Sequence, residues 1–214
     1  NDNQAARDNK KLKLCKCIVF DWDGTLVDSL SGIIESVQYT AKQLNLPKVS
    51  DNEIRQGIGL GSSEQIMRLY GDQVEATDFK NIFEKHNYSP KSAKKNIAVF
   101  SGAEKTLYSL HSKGYILAVA TGKGKKGLAD EINALNWQNL FQITCCAEEY
   151  TSKPSGAMVE HIINSLGLSA NEVVVIGDSH VDLEMAENAG ALGLGVLTGV
   201  DSKTTLSQRT HVKI

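Results

Sequence analysis

A doubly wound α/β sheet carrying an all-helical insert is the fold this sequence predicts, and three observations point to it. Short apolar runs followed by Asp, Thr or Gly recur at 17–20, 116–120, 173–176 and 194–197. Helical patterns separate the later runs. The interval from about 28 to 96 breaks that rhythm, because apolar residues recur there at helical spacing and no strand-like run appears.

Taken in order, the first strand is the continuous apolar run Cys17-Ile18-Val19-Phe20, as expected for a parallel strand buried on both faces. In the insert, Ile33, Ile34, Val37, Ala41 and Leu44 mark one amphipathic helix that ends at Leu46-Pro47. Ile66, Met67, Leu69 and Tyr70 mark a second, and Phe79, Ile82 and Phe83 a third. Seams fall near Ser29 and Asn96, so 1–28 and 97–214 are expected to form the core and 29–96 a cap over the loops of the sheet. Helices then follow at 103–113, 126–135, 157–166 and 183–189, with a shorter strand at 143–146. A strand order of 3-2-1-4-5 makes strands 1 and 4 neighbours and reverses the crossover between them, at the switch point where such sheets bind ligands.

The composition, 41% hydrophobic and 22% charged with a formal net charge of -2, is that of a globular chain and excludes a general nucleic-acid binder. The basic run Lys123-Gly124-Lys125-Lys126 reads as a solvated loop. No apolar stretch is long enough to span a bilayer, and the polar stretch from Asn1 to Lys13 has no signal-peptide core, so a soluble, cytoplasmic protein without membrane partners is expected. Cys15, Cys17, Cys145 and Cys146 lie in apolar segments without paired CxxC elements and read as buried reduced thiols.

The chemistry is concentrated at strand ends. Asp21 and Asp23 follow the first strand, and residues two apart in extended chain point the same way, so both carboxylates can approach one substrate. One can attack while the other transfers protons. Gly24 permits an abrupt turn and Thr25 can support the loop. Thr121-Gly122, after the second strand, offers a hydroxyl and an unhindered N–H suited to a phosphoryl oxygen. Lys153, before Pro154, supplies a fixed positive charge. After the fourth strand, Gly177-Asp178-Ser179-His180-Val181-Asp182 adds two carboxylates on a turn into a helix. Such an acidic cluster needs a cation, and hard oxygen ligands without a Cys or His pair select Mg2+ over zinc. His180 is read as a loop residue with local hydrogen bonds.

With Asp21-Trp22-Asp23-Gly24-Thr25, Thr121, Lys153 and Gly177-Asp178-Ser179-His180-Val181-Asp182 in this order, the chain resembles the haloacid-dehalogenase superfamily across nearly its whole length. Through Phe20 to Ser29 and Ala118 to Lys123 it is similar to the phosphoglycolate-phosphatase-like branch. The resemblance implies a Rossmann-like core and a helical cap between the first and second motifs. It also implies Asp21 as nucleophile, Asp23 as general acid and base, Thr121, Gly122 and Lys153 around the phosphoryl oxygens, and Mg2+ held by Asp21, Asp178 and the Asp23 carbonyl. Asp182 then supports the metal through water or by orienting its loop.

The chain departs from many relatives after Lys153-Pro154, where Ser155-Gly156 replaces a further proline. The glycine-rich Gly57-Ile58-Gly59-Leu60-Gly61 follows no strand and is read as a cap loop facing the site, with Arg55 and Gly59 as candidate substrate contacts. A magnesium-dependent phosphatase acting on a small phosphorylated metabolite, phosphoglycolate by resemblance, is the expectation. A phosphosugar mutase and a non-catalytic binding module are its rivals. Asp23 disfavours a dehalogenase or phosphonate hydrolase.

Overall fold

A computed structural model describes residues 12–87 and 97–209. Five parallel strands, β1 (Cys17–Phe20), β2 (Ile116–Thr121), β3 (Phe141–Cys146), β4 (Val173–Gly177) and β5 (Leu192–Gly195), form one sheet in the order β3-β2-β1-β4-β5. The chain therefore has the doubly wound, Rossmann-like fold. Alternate strand residues face opposite sides, as the two-residue period requires. Cys17, Val19, Ala118, Ala120, Val173 and Val175 pack on helices α7 (Ala157–Leu166) and α8 (His180–Asn188). Ile18, Phe20, Leu117 and Val119 pack with Leu107 and Leu128 of α5 (Ala103–Ser112) and α6 (Lys125–Ala134), and with Trp137.

Between β1 and β2 the described chain is helical: α1 (Leu30–Gln43), α2 (Asp51–Arg55), α3 (Ser62–Tyr70) and α4 (Ala76–Asn87). These helices enclose a separate core of Val37, Ala41, Ile54, Ile66, Tyr70 and Phe79. The two connections to the sheet pair with each other: Val27 bridges Val99 antiparallel, Asp28 N–H donates to Ala98 O at 2.7 Å and Phe100 N–H to Leu26 O at 3.1 Å. The expected seam at Asn96 lies outside the described residues.

Several expectations need correction. The last strand is 192–195, because its glycine Gly193 lies under Leu183 and Ala186 of α8 and carries no apolar signal of its own. That helix begins at His180, three residues earlier than expected, where Ser179 and Asp182 form a capping box. Met67 points to solvent while Ile66 and Tyr70, one helical turn apart, form the buried stripe of α3. The short helix α2, whose Ser50 and Glu53 form a capping box, carries too little periodicity to stand out. A closing helix, α9, spans Lys203–Leu206. All four cysteines are free; Cys15 is half-buried and the other three buried. Burial pushes their thiols up, to about 11 for Cys15 and Cys145 and about 12 for Cys17 and Cys146, which leaves them unreactive near neutral pH. Among the described residues no helix is long and apolar enough to cross a membrane.

Candidate active site

The parallel register delivers the chemistry to one edge. Phe20 pairs with Val119 on one side and Ile176 on the other, so Asp21, one residue on, and Thr121 and Asp178, two residues on, gather at the carboxyl edge of the sheet. Asp21 N–H extends the ladder to Ile176 O at 2.9 Å. The chain then folds tightly on itself, with the N–H groups of Leu26 and Val27 donating to Trp22 O at 2.9 and 3.1 Å. Gly24 makes this turn possible: its φ is +89°, and a Cβ there would lie 2.6 Å from the Asp178 carboxylate.

Asp21, Asp178 and Asp182 are all buried, with one carboxylate oxygen from each within 4.8 Å of the others. Lys153 Nζ, fully buried, donates to Asp21 Oδ1 and Asp182 Oδ1, both at 2.6 Å. The other oxygen of Asp182 accepts from Ser179 N–H at 3.1 Å and Ser179 Oγ at 2.5 Å, so this residue caps its helix and aims the lysine at once. Asp178 accepts from Thr25 Oγ1 and from Val200 N–H, each at 2.7 Å. Burial, reinforced by the neighbouring Asp182 charge, pushes Asp178 up to about 6. Burial also holds Asp21 well above the carboxylate range, although Lys153 pulls against it. For Lys153, burial works against the ammonium, yet Asp182 and Asp21 outweigh it and hold its pKa above the ordinary value. Three buried carboxylates thus face one buried ammonium. This oxygen donor set, free of Cys and His, fits a hard divalent cation better than any soft metal.

Asp23 sits apart from that cluster. Its carboxylate accepts from Ser29 Oγ at 2.6 Å and from Lys123 Nζ at 3.0 and 3.3 Å. The solvated reading of the 123–126 run is therefore wrong for Lys123, which is buried, although Lys125 and Lys126 are exposed. Lys123 also pairs with Glu131 at 3.1 Å, and Glu131 accepts from Trp22 Nε1 at 2.6 Å. Ser29, Lys123 and Glu131 are the site neighbours that the strand-end motifs alone did not expose. The spacing of Lys123, two residues beyond Thr121 at the exit of a strand beside β1, is the signal that could have found it.

One cavity joins these groups to the helical insert. Asp21, Asp23, Thr121, Gly122 and Lys123 line its base, and residues of α1, α3 and α4 line its other end. Thr121 Oγ1 accepts from Lys123 N–H at 3.1 Å, which leaves its proton available to an oxygen in the cavity. Gly59 lines the cavity and sits beside Ser179 and Val181; Arg55 is not among the lining residues. The 57–61 loop meets two of the loops that follow strands of the sheet. Gly61 N–H donates to Ser152 Oγ at 2.7 Å, and the Gly59 and Leu60 carbonyls lie so close over Gly122 that a Cβ there would collide with both. His180 binds Asp201 Oδ2 through its N–H at 2.6 Å and Nδ1 at 2.8 Å, the local role expected of it.

A parallel sheet with an acidic, lysine-braced cluster at its switch point defines an α/β protein with a ligand site at the carboxyl ends of its strands. Residues 18–196 match the haloacid dehalogenase-like hydrolase family, and the chain belongs to that family. It is 28% identical over 202 residues to the phosphoglycolate phosphatase of Haemophilus influenzae, covering 90% of each chain. It is 30% identical over 183 residues to a plasmid phosphoglycolate phosphatase of Cupriavidus necator, covering 82% of this chain and 78% of that one. Among solved structures, a predicted phosphoglycolate phosphatase from Haemophilus somnus superimposes with a TM-score of 0.78 at 28% identity, covering 92% of this chain and 91% of the other.

Proposed function

We propose that this chain is a magnesium-dependent phosphatase that hydrolyses a small phosphate monoester in the cytoplasm through an aspartyl-phosphate on Asp21. The observation that carries the reading is that Asp21 and Asp23 open on one cavity while Asp178, Asp182 and Lys153 gather behind Asp21. Residues 29–96 act as a cap on a core of 1–28 and 97–214, an arrangement supported by their separate apolar core and by the paired connections at 26–28 and 98–100.

In the first step an Asp21 oxygen attacks phosphorus, the bond to the ester oxygen breaks, and Asp23 delivers a proton to the leaving alkoxide. Asp23 then takes a proton from the water that attacks the acyl phosphate, which releases inorganic phosphate and frees Asp21. Ser29 and Lys123 hold the Asp23 carboxyl at the cavity wall throughout. Thr121 Oγ and the Gly122 N–H offer donors to phosphoryl oxygens, and Lys153 offsets their charge. Asp21, Asp178 and the Asp23 carbonyl would hold Mg2+, with Asp182 steering the loop; when bound, the ion offsets repulsion between the anionic nucleophile and the anionic ester.

The relatives named phosphoglycolate phosphatases support a small ester of that kind as the first to test. Phosphate release is to be measured from a panel including 2-phosphoglycolate and hexose phosphates, with magnesium, with chelator, and with Asp21→Asn. Turnover that needs magnesium and falls at least a thousandfold in the variant is expected. Turnover unaffected by Asp21→Asn would overturn the assignment of the nucleophile.

A further inference from the structure

The cavity that begins at the paired carboxylates becomes largely apolar within the insert, where its polar lining is Ser62, Gln65, Lys80 and Glu84. Its far end is walled by Ile33 and Val37 of α1, Ile66 and Leu69 of α3, and Phe79 and Phe83 of α4. Val37, Ile66 and Phe79 belong to the apolar core of the insert, so the pocket penetrates that core. The cationic side chains on the wall already face protein carboxylates. Lys123 lies between Asp23 and Glu131, while Lys80 pairs with Glu148 and stands 3.9 Å from Glu84. Arg55, the guanidinium expected in this region, is not on the wall.

A carboxylate carried into this end would lose its water without gaining a cation, unless it broke one of those pairs. An alkyl or aryl group loses nothing there and gains the burial of its own surface. We infer that the alcohol half of the substrate is uncharged and apolar, so that this enzyme favours alkyl or aryl phosphate monoesters over acid-bearing esters such as 2-phosphoglycolate. The inference rests on the phosphatase reading and adds to it the chemical class of the leaving group. It also sets this chain apart from the relatives whose names specify phosphoglycolate.

The test compares kcat/KM for ethyl, butyl and hexyl phosphate with that for 2-phosphoglycolate, all with magnesium. Ethyl phosphate matches 2-phosphoglycolate in length but lacks the carboxylate, and its alkoxide is the poorer leaving group, so intrinsic reactivity works against the expected result. The expected result is a rise of roughly fourfold per methylene along the alkyl series, with 2-phosphoglycolate at least tenfold below butyl phosphate. Leu69→Lys, at a half-buried position, should reverse the order by giving a carboxylate its cation. If that variant does not fold, the wild-type series decides alone. A flat alkyl series, or 2-phosphoglycolate as the better substrate, overturns the apolar assignment and leaves the phosphatase standing. No phosphate release from any ester removes the phosphatase reading and this inference with it.

Discussion

Lys153 holds more of the site together than any other side chain. Its ammonium has no measurable side-chain exposure, and it touches two carboxylates that are themselves buried. Removing one member of such a cluster costs more than the pair contributes, because the remaining charges stay in a medium that solvates them poorly. Lys153→Met keeps the length of the side chain and deletes the charge. It should destabilise the protein by about 3 to 5 kcal/mol at neutral pH and abolish turnover. Part of that stability should return as pH falls, because Asp21, already held well above the carboxylate range by burial, then takes up a proton. Urea denaturation at pH 5 and pH 7.5 with chelator checks this, and a loss equal at both would remove the electrostatic account.

Among the elements, the 57–61 loop is where the helical insert meets the catalytic edge of the sheet. Its contact with Gly122 is backbone on backbone, so even one methyl group must move the loop. Gly122→Ala should therefore leave the sheet folded, raise KM and lower kcat/KM by about 10- to 100-fold, and reduce amide protection across 57–61. Unchanged kinetics would mean that the loop does not set the geometry of the cavity. This contact also marks the limit of what sequence reading can reach. Asp21, Asp178, Asp182 and Lys153 were legible because each stands just beyond an apolar strand, in the loop preceding a helix or in a helix's first turn, where local pattern dictates position. The burial of Lys123 was not, since a lysine among glycines looks solvated until Glu131, from the helix that follows, and Asp23, from the loop after β1, close on it. Nor was the absence of Arg55 from the cavity wall, which depends on how a five-residue helix is rotated. The β5 register was missed for a similar reason, as glycine in a strand signals tight helix packing only once the helix is in place.

For the whole molecule, the acidic cluster couples folding to protons and, in the proposed reading, to metal. Asp178 titrates near 3.8 when free and near 6 in the fold, so between those values the folded chain binds the extra proton and its stability falls as pH rises. The resulting loss is on the order of 3 kcal/mol. It is absent below pH 4 and complete above the folded pKa. Asp21 moves in the same direction, so the metal-free protein carries its site as a liability at neutral pH. A divalent cation that binds the ionised carboxylates reverses this, and at a hundred times its dissociation constant it should return about 2.7 kcal/mol. Magnesium should therefore raise the unfolding midpoint at pH 7.5 and have little effect at pH 4.5, where protons occupy the same oxygens. Asp178→Asn should reduce the pH dependence of the metal-free protein, leaving the part carried by Asp21, and weaken the response to magnesium together, because Asp178 contributes to both. Denaturation curves for the two proteins, each with magnesium and with chelator at both pH values, make the comparison. Parallel pH profiles for wild type and variant would show that the Asp178 charge is stabilised by other groups of the protein and would count against the proposed cation site.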